Sequence, residues 1–196
     1  MPRAQILPLL LFLIFSFTGC GKSANAARQE LAQMNIPFTE MEFIETARQG
    51  NSTAAGLFID AGMNLEARDS VGQTALMTAT LANQLETVRV LLAKGADPDA
   101  KDKYGGTALM TAAWKENKEI ALSLLASNVD LNAKANNGMT ALMFAAWENH
   151  TEISKVLLEK GADPDLKDKN GWTASMRADF KGHTEVANIL KEPQRH

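Results

Sequence analysis

Residues 136–168 carry two helical hydrophobic patterns followed by a turn. Leu142, Ala145 and Ala146 fall at i, i+3 and i+4, which gathers small and apolar side chains on one face of a short helix. Thr140 stands just ahead of that helix, where a hydroxyl accepts from the first free backbone N–H groups, and Gly138 before it suits a tight turn of positive φ. Asn149 and His150 break the pattern. Ile153, Val156, Leu157 and Leu158 then form a second apolar face, and Gly161 sits where a helix end favours a left-handed residue. Asp163 to Gly171 is turn chemistry with no donor at Pro164, so an extended hairpin-like loop is predicted. Neither helix can bury its face alone, so such units must stack.

The units recur. GMTALM at 138–143 has counterparts GGTALM at 105–110, GQTALM at 72–77 and GWTASM at 171–176, each 33 residues from the next. The loop phrase keeps the same step, as GADPD at 95–99, NVDLN at 128–132 and GADPD at 161–165. A fixed 33-residue period with a T-x-L-x-x-A core resembles the ankyrin-repeat family, from about Phe38 to the C-terminus. Where that family usually has T-P-L-H, this chain has TALM, losing the proline's preset φ and the histidine's bond to loop backbone. Met77, Met110, Met143 and Met176 therefore share one position. Gap-filling core is the expected role, with a soft metal or oxidation-sensitive site as the sharper alternative.

The ends depart from the interior. Thr39 and Glu42 read as a capping box, with Phe38 and Phe43 at the positions of a hydrophobic staple. Helices are expected over 40–49 and 53–60, in a first repeat that lacks the G-x-TAL opening. Residues 26–34 form a helical turn or two, with Leu31 and Met34 on one side. In the last repeat Ser175, Arg177, Asp179 and Lys191 replace Leu142, Phe144, Ala146 and Leu158, the polar outer face that a terminal repeat needs. Pro193 ends the last helix. The expected fold is an all-α ankyrin solenoid of about five repeats including both caps, its helix-turn-helix units joined by hairpin-like loops. Its parts are a signal segment (1–19), the lipid-attachment Cys20 with a linker (20–36), an N-terminal capping repeat (37–68), three full repeats (69–101, 102–134, 135–167) and a C-terminal capping repeat (168–196).

The leader changes the picture. Arg3 precedes an apolar run over 6–17, shorter than the ~20 residues of a spanning helix and within the range of a signal-peptide core. FTGC at 17–20 resembles the bacterial lipoprotein signal, with Phe17 in place of the usual Leu, and the resemblance implies acylation of Cys20. Stable anchoring needs two or more acyl chains, which such proteins carry. Gly21 after the cysteine resembles proteins forwarded to the outer membrane in Gram-negative hosts. The alternative is simple cleavage after Ala26, at Ala24-Asn25-Ala26. The rest of the composition is ordinary for a globular chain: 196 residues, 45% hydrophobic, net charge −3, so no basic balance points to nucleic acid. A single cysteine allows no internal disulfide.

Leu81, Trp114, Trp147 and Phe180 occupy one repeat position, at the end of each first helix. The family resemblance implies that this position faces a concave groove and varies with the partner bound. With neighbouring helices ~8–10 Å apart, the row spans on the order of 30 Å. Trp is the residue type most enriched at binding hot spots. The same row also admits pure packing, each ring on its neighbour. Tyr104 and Trp172 lie in the loops at further positions that the family uses for contacts. Arg68, Lys101, Lys134 and Lys167 form a basic column along the loop tips, beside Asp69, Asp102 and Asp168. Modest ion pairs on a solvated face are expected there, with an acidic partner as the alternative.

The inventory for catalysis is thin. His150 and His183 share a turn position where the family commonly has an ordering His, and Asp179 lies four residues before His183. The Asp97/Asp99 and Asp163/Asp165 pairs read as turn residues ahead of a weak cation site, and no phosphate loop, metal spacing or triad order appears. The expected function is a non-enzymatic protein-interaction module, a scaffold or adaptor in the bacterial cell envelope. It would bind a protein partner through the groove and the membrane through its lipid, with no cofactor, nucleic acid or small-molecule substrate. Two readings stay open: an inhibitor or immunity-type protein masking an envelope or secreted enzyme, and a hydrolytic or redox enzyme.

Overall fold

Helices of this length are marginal in water by themselves, so their packing decides the fold. The computed structural model describes residues 22–192. An inner layer holds α2 (Glu40–Gln49), α4 (Ala75–Leu81), α6 (Ala108–Lys115), α8 (Ala141–Trp147) and α10 (Ala174–Lys181). An outer layer holds α1 (Ala24–Gln33), α3 (Ser52–Asp60), α5 (Leu85–Ala93), α7 (Lys118–Leu125), α9 (Thr151–Glu159) and α11 (Thr184–Lys191). Each helix packs on the next of its own layer, and each inner helix on the outer one that follows it. The result is an all-α solenoid, with no strand among the described residues. The signal segment, Cys20 and Pro193 lie outside those residues.

The three full repeats and the C-terminal capping repeat start the same way. Thr74, Thr107, Thr140 and Thr173 accept from the backbone N–H of Met77, Met110, Met143 and Met176. These hydroxyls satisfy donors that a helix start leaves free. The turn after each inner helix is left-handed at Gly50, Asn83, Glu116, Asn149 and Gly182. The residue after that turn reaches back one repeat. Gln84 and Asn117 donate side-chain amides to the carbonyls of Arg48 and Thr80, and ring nitrogens of His150 and His183 to those of Ala113 and Trp147. One position thus ties each repeat to the open C-terminal end of the preceding inner helix. This is the work of both histidines, and Asp179 pairs with Lys191 rather than with His183.

The loops stack as closely as the helices. Asp69, Asp102 and Asp168 each accept two backbone N–H groups of their own loop. Neighbouring loops are joined by backbone bonds from Lys103 to Val71, Asn136 to Tyr104 and Lys169 to Asn137, of 3.2, 2.9 and 3.1 Å. Glycine is required at 138: φ is +84°, and a Cβ would stand 2.7 Å from the Lys169 nitrogen. The aspartate pairs act within this frame. Asp97 and Asp163 close their own turns, while Asp99 accepts from the Asp130 N–H of the next repeat.

At the N-terminus the structure goes beyond the expected turn or two. Helix α1 starts at Ala24, capped by Ser23, and lies on α3 as a further outer helix, with no inner helix before it among the described residues. Its buried residues are Ala27 and Leu31, and Met34 is exposed, contrary to expectation. The capping box closes in one direction, Thr39 accepting from the Glu42 N–H. Phe38 and Phe43 meet through a third ring, Phe58, at 5.6 and 5.5 Å. At the other end Ser175 is half-buried, while Met176 and Asp179 are exposed. Met77, Met110 and Met143 are buried core, and only Met176 opens to solvent. Arg177, expected on the polar outer face, is instead buried with Asp168.

Candidate partner-binding groove

The ends of the inner helices form a row along one side of the inner layer, bordering the candidate groove. It starts one repeat earlier than expected, at Arg48, which stands 33 residues before Leu81 and is paired with Glu45. The same step that links Leu81 to Trp114 leads back to it. Leu81 is 38% exposed, Trp114 43% and Phe180 67%, whereas Trp147 is half-buried. A side chain as large as Phe180, two-thirds open to water, is apolar surface with nothing yet covering it.

The rings do not make one continuous ladder. Trp114 donates its Nε1–H to Glu148 at 3.2 Å, with Lys115 Nζ 4.2 Å from its ring centroid. Trp147 stacks on Phe180 at 6.1 Å and 13°, and Trp172 meets Phe180 edge-on at 5.0 Å. The structure therefore gathers Trp147, Trp172 and Phe180 at the C-terminal end of the groove and leaves Leu81 and Trp114 apart. Tyr104 is 71% exposed at its loop tip and joins none of these ring contacts.

Two of the cavities among the described residues lie at the two ends of the groove. One of about 570 Å³ sits between α2, α4 and the 68–73 loop, with Met41, Ile44 and Leu81 beside Glu45, Arg48 and Arg68. The other, of about 420 Å³, is lined by Trp147, Asn170, Trp172, Arg177 and Phe180. Both are in the size range of side-chain or small-ligand sites. A further cavity of about 640 Å³ lies off the groove, between the 161–165 loop and α11.

The basic column does something other than the expected ion pairing. Arg68 donates to the carbonyls of Gly72 and Lys101, Lys101 to that of Lys134, and Lys134 to that of Lys167. Each cation caps the next repeat's backbone, while the neighbouring aspartates hold loop N–H groups. Asp168 is the exception. Its Oδ2 accepts from Arg177 Nη2 in a buried pair. Burial pushes its carboxyl pKa up, but the Trp172 N–H, the Arg177 guanidinium and the Asn170 N–H outweigh it and hold the pKa below the usual value. Among the described residues no three His, Cys, Asp or Glu side chains cluster as metal ligands.

Such a site displays apolar and charged side chains on stacked helices, an arrangement that can hold another surface. A protein described as ankyrin repeat-containing, from Treponema pallidum (strain Nichols), is 35% identical over 75 residues, 38% of this chain and 25% of that relative. The chain thus spans about a quarter of the length of the curated relative it matches. The family model for ankyrin repeats (3 copies) matches residues 43–135 and 109–195, well over half of the sequence. With the stacked helix pairs, left-handed turns and threonine caps already described, the chain belongs to the ankyrin-repeat family.

Proposed function

We propose that this chain is a non-enzymatic scaffold or adaptor of the bacterial cell envelope that binds a protein partner through its concave groove. Ankyrin repeats mediate protein–protein interaction, and the observation that carries the reading here is the row from Leu81 to Phe180, with large apolar side chains left open on a stiff frame. Stacking fixes their spacing before any partner arrives, so little ordering entropy is lost on binding.

The anchor in this reading is acylated Cys20, holding the protein to a membrane, the outer membrane facing the periplasm in a Gram-negative host. The start of α1 supports that choice over cleavage after Ala26. Ser23 accepts from the Ala26 N–H, so a cut there would remove the cap and the first turn of a helix packed on α3. Between Cys20 and Ser23 the chain reaches at most ~10 Å, which would keep the solenoid close to the bilayer.

Capture from envelope extract tests the proposal. The wild-type chain is compared with a Trp114→Ala, Trp147→Ala double variant whose circular dichroism and melting have been checked. A partner held by the wild type alone supports the groove; equal capture by both moves the site to the loop tips or convex face. Palmitate labelling lost in Cys20→Ser tests the anchor.

A further inference from the structure

Resting on the reading of the groove as a partner-binding surface, the next step concerns its C-terminal end, between α8 and α10. We infer that this end takes an acidic peptide segment of the partner, lodging an apolar side chain among Trp147, Trp172 and Phe180 with an adjacent carboxylate at Arg177 and Lys181.

The apolar half follows from the rings. Three aromatic side chains converge on one cavity of about 420 Å³, and Phe180 stays largely exposed. The sign of charge follows from what the rings already hold. Lys181 Nζ lies 4.8 Å from the Trp147 ring centroid, and the Arg177 guanidinium carbon lies 5.4 Å from Trp147 and 5.9 Å from Trp172. Aromatic faces attract cations, and here the protein supplies them, so an incoming cation would meet like charge.

Donors at this site outnumber acceptors. Arg177 is nine-tenths buried; its Nη2 donates to Asp168, and its Nε–H has no acceptor. That Nε is itself closed to solvent, so what Arg177 offers a carboxylate is the part of its side chain that lines the cavity. Lys181 has no carboxylate partner among the described residues. The nearby acids are engaged: Asp179 by Lys191 at 2.8 Å, Glu148 by the Trp114 indole, and Asp168 by Arg177 and two loop N–H groups. At the opposite end of the groove the charges answer each other, Glu45 pairing with Arg48, so no such excess exists. A long polyanion fits worse than a peptide. It needs a continuous track of free cations, and Arg68, Lys101 and Lys134 donate to carbonyls instead.

The test uses the full-length chain and three probes: the acetylated peptide Asp-Glu-Phe-Asp-Glu, its charge-reversed counterpart Lys-Lys-Phe-Lys-Lys, and an oligothymidylate. Tryptophan fluorescence and calorimetry read binding. The acidic peptide is expected to bind alone, more weakly as salt rises. It should bind about tenfold more weakly to Lys181→Glu and to Phe180→Ala, two exposed positions, with circular dichroism checking that each variant is folded. Equal binding of the basic peptide or of the oligothymidylate overturns the inference, as does an unchanged affinity in Lys181→Glu. Envelope capture separates the two readings. Capture lost in the Trp114→Ala, Trp147→Ala variant but kept in Lys181→Glu overturns the acidic segment and leaves the groove standing. Capture kept in both overturns the groove reading, and this inference with it.

Discussion

The repeat at 135–167 and the one that follows it share a skeleton and differ in their company. Thr140 and Thr173 cap alike, and His150 and His183 reach back alike to the preceding helix. Yet Leu142, Met143 and Ala146 are buried, while Ser175 is half-buried and Met176 and Asp179 are exposed. The comparison separates two kinds of constraint. Caps and turns belong to each repeat by itself, whereas the core exists only between neighbours. Where no further helix pair stands beside it among the described residues, the repeat carries polar side chains at those positions.

Core truncation should break the symmetry most. Leu142→Ala removes a fully buried side chain and is expected to cost about 2–5 kcal/mol in urea denaturation. Ser175→Ala, at the same repeat position, should stay within about 0.5 kcal/mol. Equal losses would mean that the terminal repeat carries core after all. The glycines come next. Gly171→Ala meets only the backbone strain of a left-handed residue, about 1–2 kcal/mol, since nothing lies within 4 Å of the new Cβ. Gly138→Ala adds a clash with the Lys169 backbone nitrogen, about 1–3 kcal/mol more. Equal destabilisation of the two would mean that the loops part without cost.

These contrasts also explain what was legible in the sequence. A 33-residue period fixes which residues are equivalent, so the helices, the threonine caps and the row through Trp114 and Trp147 could be read directly. It does not fix where equivalent side chains point. Trp114 has Glu148 beside it and bonds to it, whereas Trp147 has Phe180 and stacks. In the sequence Arg177 reads as a solubilising substitution, because the aspartate buried with it lies nine residues earlier in a loop. Helix α1 is less legible, because its closing Asn35 is out of step with the 33-residue period.

The Asp168–Arg177 pair sharpens the comparison at the terminal repeat, since the preceding repeat has Ala135 and Phe144 in those places. Asp168 has its pKa lowered in the folded state, so its stabilisation is complete above the unfolded aspartate value, near pH 4. It is lost as pH falls through the lowered folded value. Asp168→Asn should cost about 1.5–3 kcal/mol at pH 7. The gap between variant and wild type should narrow steadily on acidification below about pH 5. A gap that is constant with pH would mean that the pair contributes shape and not charge.

The smallest effect concerns the left-handed turn shared by all five inner helices. Glycine or asparagine fills it at 50, 83, 149 and 182, and Glu116 alone has neither glycine's freedom nor asparagine's tolerance. Glu116→Asn is expected to stabilise by about 0.5–1 kcal/mol. For a chain of this size that raises Tm by about 1–4 °C in a calorimetric scan. The one contact at stake is between the Glu116 carboxylate and His150 Nε2, at 3.9 Å, with the glutamate side chain 63% exposed. Pairs so open to water contribute little, so relief of strain should win. A lower Tm in Glu116→Asn, reversed when His150→Gln is the background, would show that this contact outweighs the strain and that the central turn differs from the other four for a reason.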